Sequence, residues 1–132
     1  VTGRLFGEIN PVLSGQDILD AQNLVIKIPV ADTVVEYATK LVRSTRLNQP
    51  DTPDFIKKWV AWGCGPRASI ALISAGKALA TLKNETCVSC EHVARVAPPV
   101  MRHRLAVNYT ARAEGVTTDI VIDKLLETVS KY

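Results

Sequence analysis

Trp62 to Leu82 reads WGCGPRASIALISAGKALATL, and this stretch decides the fold. Gly63-Cys64-Gly65-Pro66 is a tight connector. Pro66 suits the first position of a helix, where its fixed φ is preorganised and its missing N–H is not needed. The residues after it are rich in Ala and Leu, both strong helix formers. The pattern predicts one long helix to about Leu82, with Leu72, Ala75, Leu79 and Leu82 on its face. Its small residues would let another helix approach closely. Asn84 and Glu85 end it.

Helical periodicity extends in both directions from this core. Ser14 is placed to cap a helix, with Asp17 in the capping-box position. Ile18, Gln22 and Val25 share a face of that helix, which runs to about Ile26 before Pro29 interrupts. Asp32 is the expected cap of a second helix, whose stripe is Val34, Ala38, Leu41 and Thr45, with Val35 and Val42 beside it. Leu47 to Thr52 is a polar loop. Thr52-Pro53 should start a third helix carrying Phe55, Trp59 and Trp62 on one side and stopping at Gly63.

On the C-terminal side, Ser89 caps a short helix with Val93 and Val96 inward. Pro98-Pro99 is expected to break that helix and begin another, carrying Met101 and the basic run Arg102-His103-Arg104. Leu105 to Thr110 reads equally as helix or strand. After Gly115, Thr117 or Thr118 caps a last helix with Val121, Leu125 and Val129. The expectation is an all-α domain of five to seven helices over residues 14–132, behind an irregular lead at residues 1–13. No internal repeat and no strand ladder is visible.

Composition agrees. Hydrophobic residues make up 47% of the 132-residue chain and charged residues 22%, the balance of an ordinary single globular domain. No apolar run approaches the roughly 20 residues of a membrane helix. The first residues lack the pattern of a signal peptide, so the expected compartment is the cytoplasm. A start at Val1 rather than Met points to a cut or processed chain. The net charge of +3 is too mild to imply nucleic acid by itself. Three cysteines make a disulfide framework improbable.

Four constellations bear on chemistry. Arg67 falls in the first turn of a helix, where the macrodipole already places positive charge. Free backbone N–H groups make the same place an anion site. An arginine there hints at a phosphate ligand, against the ordinary alternative of a surface carboxylate partner. The glycines do not form a P-loop, because no Gly-Lys-Ser/Thr comes after them. Cys87-Val88-Ser89-Cys90 with His92 has half of a zinc set, but no second pair stands at ligand spacing, so no metal is expected. Arg95 and the run Arg102-His103-Arg104 can form a solvated face or meet phosphates, a subunit or nucleic acid. Trp59 and Trp62 read as packing. No catalytic triad or carboxylate pair emerges, and the residues alone support a soluble helical domain, with the start of the long helix as a candidate anion site.

Several stretches together resemble the C-terminal domain of the MoxR family. They are Pro29-Val30-Ala31-Asp32, Leu41-Val42-Arg43-Ser44-Thr45-Arg46, Trp62 to Ser69, Ala97-Pro98-Pro99-Val100-Met101-Arg102-His103-Arg104-Leu105, and Ala113-Glu114-Gly115-Val116. They keep the family's order and spacing over residues 12–130. Pro-Arg-Ala-Ser and Arg-His-Arg-Leu are specific as a pair. Cys64-Gly65 departs from the usual Ala-Ser, so no hydroxyl caps the helix at residue 65.

The resemblance implies a compact helical bundle of the AAA+ lid type. It implies that Arg67 is the sensor-2 arginine reaching ATP held by a core domain of the same parent chain, with Gly65 and Pro66 beside it at the nucleotide. It implies Mg with the ATP, a homo-oligomeric ring such as a hexamer, and a chaperone role in assembly or metal-cofactor insertion. A von Willebrand factor A-domain protein is the implied client. Arg102, His103 and Arg104 become a candidate subunit or core interface. No Walker A, Walker B or arginine-finger segment is present, so hydrolysis is expected of the parent and not of this chain, which alone should bind neither ATP nor Mg. The competing reading is a helical interaction module that binds an acidic partner or nucleic acid through the basic run.

Overall fold

A computed structural model describes residues 10–131. Most of the expected lead, residues 1–9, lies outside them. Seven helices and one small sheet are formed among the described residues. The helices are α1 (Gly15–Lys27), α2 (Asp32–Ser44), α3 (Asp54–Trp59), α4 (Arg67–Leu82), α5 (Cys90–Met101), α6 (Tyr109–Ala113) and α7 (Thr118–Thr128). The strands are β1 (Val60–Trp62) and β2 (Ala106–Val107), paired antiparallel. The fold is all-α apart from this pair.

Local signals explain most helix ends. Ser14 and Asp17 form the reciprocal capping box of α1. Ser89 does the same for α5, with His92 as its third-position partner. Thr117 caps α7 through the Ile120 N–H, and Asn108 caps α6 through the Ala111 N–H. Asn84 adopts a left-handed φ of 57°, and the Glu85 N–H closes back on the Ala80 carbonyl at 2.9 Å. This Schellman ending stops α4 where the sequence indicates. Gly115 ends α6 in the same way, with φ of 72° and the Val116 N–H on the Ala111 carbonyl at 2.8 Å.

The core is a single cluster drawn from α2, α4, α5 and α7, closed by Ile56 and Val60. Of the α2 stripe, Val34, Ala38, Leu41 and Val42 lie within it, and Thr45 is buried beside them. α5 packs most extensively on α4. α4 buries Ala68, Leu72, Gly76 and Ala80, and Gly76 faces Val93 and His92 of α5. A Cβ on Gly76 would stand 3.1 Å from a Val88 methyl, so the glycine sets how near that segment comes.

Six expectations need correction. The cap of α2 is Ala31, and Asp32 is its first helical residue. α3 is capped at Pro53, without a side-chain bond. The Thr52 hydroxyl faces inward instead, toward the Arg46 and Gln49 carbonyls at 2.5 and 2.9 Å. α3 stops at Trp59, because Val60 and Trp62 pair with Val107 and Ala106. That pairing also makes part of Leu105 to Thr110 a strand. The buried face of α4 shares only Leu72 with the face expected, and Leu82 is exposed. α5 continues through Pro98 and Pro99. Arg95 and Pro99 lie on its exposed side, where water can take the freed Arg95 carbonyl, while Val93, Ala97 and Met101 hold the buried side. Finally, Val35, placed beside the α2 stripe, is 42% exposed. α1, for which the sequence carries no burial expectation, buries none of its residues, and Ile18, Leu19 and Ile26 are exposed.

Candidate functional site

The start of α4 is held by the end of α2. Thr45 is fully buried, and its hydroxyl donates to the Val42 carbonyl at 2.7 Å. The same oxygen accepts the Cys64 N–H at 2.8 Å. The Arg46 side chain donates to the Cys64 carbonyl at 3.3 Å. Both backbone polar groups of Cys64 are therefore satisfied by α2 and the residues just after it. Gly63 is pressed against Thr45 so closely that a Cβ there would lie 2.1 Å from the Thr45 carbonyl oxygen. Only glycine fits, and the reason is contact with the neighbouring backbone. Gly65 is free of such contact, with nothing within 4 Å of an added Cβ.

Out of this clamp the chain turns at Pro66, the cap residue of α4, and Arg67 opens the helix. Arg67 is exposed. Among the described residues it makes no ion pair and no side-chain hydrogen bond. The first turn of α4 contains no acidic residue, so the positive end of the helix dipole is uncompensated there.

The antiparallel pairing of β1 with β2 brings the basic run alongside. A shallow groove of about 460 Å³ is lined by Trp62, Gly65, Arg67, His103, Arg104 and Ala106, among others. Arg67, His103 and Arg104, separated by more than thirty positions in sequence, thus share one surface. Arg104 is partly buried, and its guanidinium donates to the Val100 carbonyl, which fixes its stem. Arg102 is not part of the groove wall. It pairs with Asp119 at 2.7 Å on the surface. Pro66 is exposed beside the groove. Trp62, expected from sequence to pack, is 74% exposed at the groove wall. A larger groove of about 540 Å³ lies between α2, the 47–53 loop and the end of α7. Its lining mixes both signs of charge.

Cys64, Cys90 and His92 are buried in the fold. Cys64 and Cys90 are buried, and burial pushes both thiols up from their ordinary pKa. Cys87 is exposed. The His92 Nδ1 accepts the Ser89 N–H at 3.1 Å, which leaves Nε2 to carry the proton toward Glu85 at 3.3 Å. No three His, Cys, Asp or Glu side chains among the described residues gather as a metal set. Thiol titration of the native chain should modify Cys87 rapidly, while Cys64 and Cys90 react only after unfolding, since a buried neutral thiol is a poor nucleophile. Rapid modification of all three in the native state would contradict this burial.

Trp59 shows what an engaged tryptophan looks like here. Its Nε1–H donates to Glu114 at 2.8 Å, and its ring lies against Lys58, Lys124 and Phe55. The Lys58 ammonium, which also reaches Glu114 at 2.8 Å, holds that carboxyl below its ordinary pKa, helped by the Trp59 N–H. Asn108 joins α3 to α6, with its side chain donating to the Lys58 carbonyl at 2.8 Å.

The family model for the AAA lid domain matches residues 55–125, just over half of the chain. The chaperone MoxR1 of Mycobacterium tuberculosis is 35% identical over 119 residues, which is 90% of this chain and 32% of that protein. The uncharacterized protein YeaC of Bacillus subtilis is 26% identical over 92% of this chain and 35% of its own length. The crystal structure of an ATPase candidate from Cytophaga hutchinsonii superposes with a TM-score of 0.81 at 30% identity, covering 87% of this chain and 35% of that one. The chain belongs to the AAA lid domain family, and within it to the lids of MoxR-type AAA+ ATPases. It spans about a third of the length of the curated relatives it matches.

Proposed function

We propose that this chain is the sensor-2 lid of a MoxR-type ATPase, and that Arg67 meets the phosphates of ATP bound by a core domain outside this chain. The observation that carries the reading is the unpartnered Arg67 at the first residue of α4, beside His103 and Arg104 in one groove. A guanidinium carried at a helix start offers charge-assisted donors to a phosphate. Gly65 and Pro66 set the approach, and the Thr45 clamp keeps the turn from yielding. None of the groove residues named is a carboxylate, which supports assigning the accompanying Mg to the core.

In this reading the γ-phosphate favours one lid angle, and hydrolysis removes that partner. The angle change passes around a homo-oligomeric ring, a hexamer in the simplest form, to a client that carries a von Willebrand factor A domain. The work is chaperone-like assembly or metal insertion in the cytoplasm. No described helix is long and apolar enough to cross a membrane. The competing nucleic-acid or acidic-partner module has less support, since Arg102 is paired with Asp119 and Arg104 with a backbone carbonyl.

The test is ATP turnover by the full-length parent, by its Arg67→Ala variant and by this chain alone. The chain alone should show none above a buffer blank, because it carries no P-loop. Turnover by the pure chain, abolished by a point substitution within it, would overturn the lid reading.

A further inference from the structure

Trp62 is a large side chain of the groove for which the fold has no use. Its indole is 74% exposed, and among the described residues its ring nitrogen has no partner. Trp59, three residues earlier, has its nitrogen on Glu114 and its ring against Lys58, Lys124 and Phe55. The contrast is local, because both residues belong to the same α3–β1 segment. Leaving an indole in water forgoes one of the largest burial gains available to a side chain.

The Trp62 backbone is nevertheless held firmly. β1 pairs it with Ala106 on one side, and Gly63, next in the chain, sits hard against Thr45. A rigidly carried, uncovered aromatic face thus lines the same groove as Arg67 and His103. Charge alone would serve inorganic phosphate. A flat π-face beside cations matches a molecule with both a base and phosphates.

We propose that Trp62 is a stacking platform for the nucleobase of the triphosphate whose phosphates Arg67 meets. The proposal rests on the reading of Arg67 as a phosphate ligand. Because every base has a π-face, the platform supplies affinity for nucleotides in general.

The experiment is equilibrium binding of ATP and of inorganic tripolyphosphate, each with Mg, to the full-length parent and its variants. Trp62→Ala should weaken ATP about 10- to 100-fold, from the usual size of base stacking. Its affinity for tripolyphosphate should stay within about twofold. Trp62→Phe should keep most of the ATP affinity, and Trp62→Leu, with apolar bulk but no π-face, should not. Circular dichroism of each variant checks the fold; should Trp62→Ala misfold, the Phe and Leu pair still decides. Unchanged ATP affinity in both Ala and Leu variants would overturn the proposal, as would equal weakening of both ligands. Arg67→Ala separates the two readings, since it should weaken both ligands. If it changes neither while Trp62→Ala weakens ATP alone, the phosphate reading fails and the stacking one stands.

Discussion

Replacing Arg67 by alanine in the full-length parent is expected to slow ATP turnover about 100- to 1000-fold, the usual loss on removing one preorganised donor from developing charge. The lid itself should remain folded. Arg67 is exposed and makes no ion pair among the described residues, so its removal breaks no contact of the fold. Its charge also stands at the unfavourable end of the α4 dipole, so neutralising it is neutral or slightly favourable for the helix. Arg102→Ala is the matched control. It breaks an exposed pair with Asp119, a loss of about 1 kcal/mol or less, and so shows what removing one surface cation costs the fold. The check is steady-state turnover together with helical content for both variants. An Arg67→Ala protein with wild-type turnover would remove Arg67 from the phosphate site.

The second large effect concerns stability. Gly63→Ala would set a methyl 2.1 Å from the Thr45 oxygen and 2.6 Å from its carbonyl carbon. Both are backbone atoms at the end of α2 and cannot swing aside. Relief requires moving the turn, which strains the bond from the Cys64 N–H to Thr45 and the bond from Arg46 to the Cys64 carbonyl. The expected loss is about 3 kcal/mol, the upper end for overpacking. In a chain of this size that is about 10 °C in thermal midpoint. Gly65→Ala, two residues on, meets nothing within 4 Å and should change the midpoint little. A scan of the three proteins decides the point, and equal midpoints for wild type and Gly63→Ala would contradict the clamp. In the parent, Gly63→Ala should also slow turnover with Arg67 intact, because the arginine would no longer be aimed.

Local chemistry is what the sequence makes legible. The Ser14–Asp17 capping box, the Asn84 stop and the α2 stripe depend on residues three to four apart, and all are present. Non-local pairing is what it hides. Nothing in Val60-Ala61-Trp62 announces that its partner strand is Ala106-Val107, so periodicity alone carries α3 through to Gly63 and turns Trp62 into a packing residue. α4 is apolar nearly all round, so periodicity cannot choose its buried face. The choice falls to the small residues Ala68, Gly76 and Ala80, which admit α5 most closely. Tertiary burial of Val93, Ala97 and Met101 overrides the break expected at Pro98-Pro99. For the site, Arg67 stands out through its clash with the helix dipole. That His103 and Arg104 share its groove depends on the non-local pairing of β1 with β2, which periodicity cannot reveal.

The central claim is that Arg67 reads the γ-phosphate. The measurement that tests it most directly is the ratio of affinities for a non-hydrolysable ATP analogue and ADP, in the full-length parent and in Arg67→Ala. A charge-assisted bond to the γ-phosphate gives the wild type a preference for the triphosphate of about 10-fold or more. The account predicts that Arg67→Ala brings this ratio down toward one, chiefly by weakening the triphosphate. An unchanged ratio in a folded Arg67→Ala protein would contradict it.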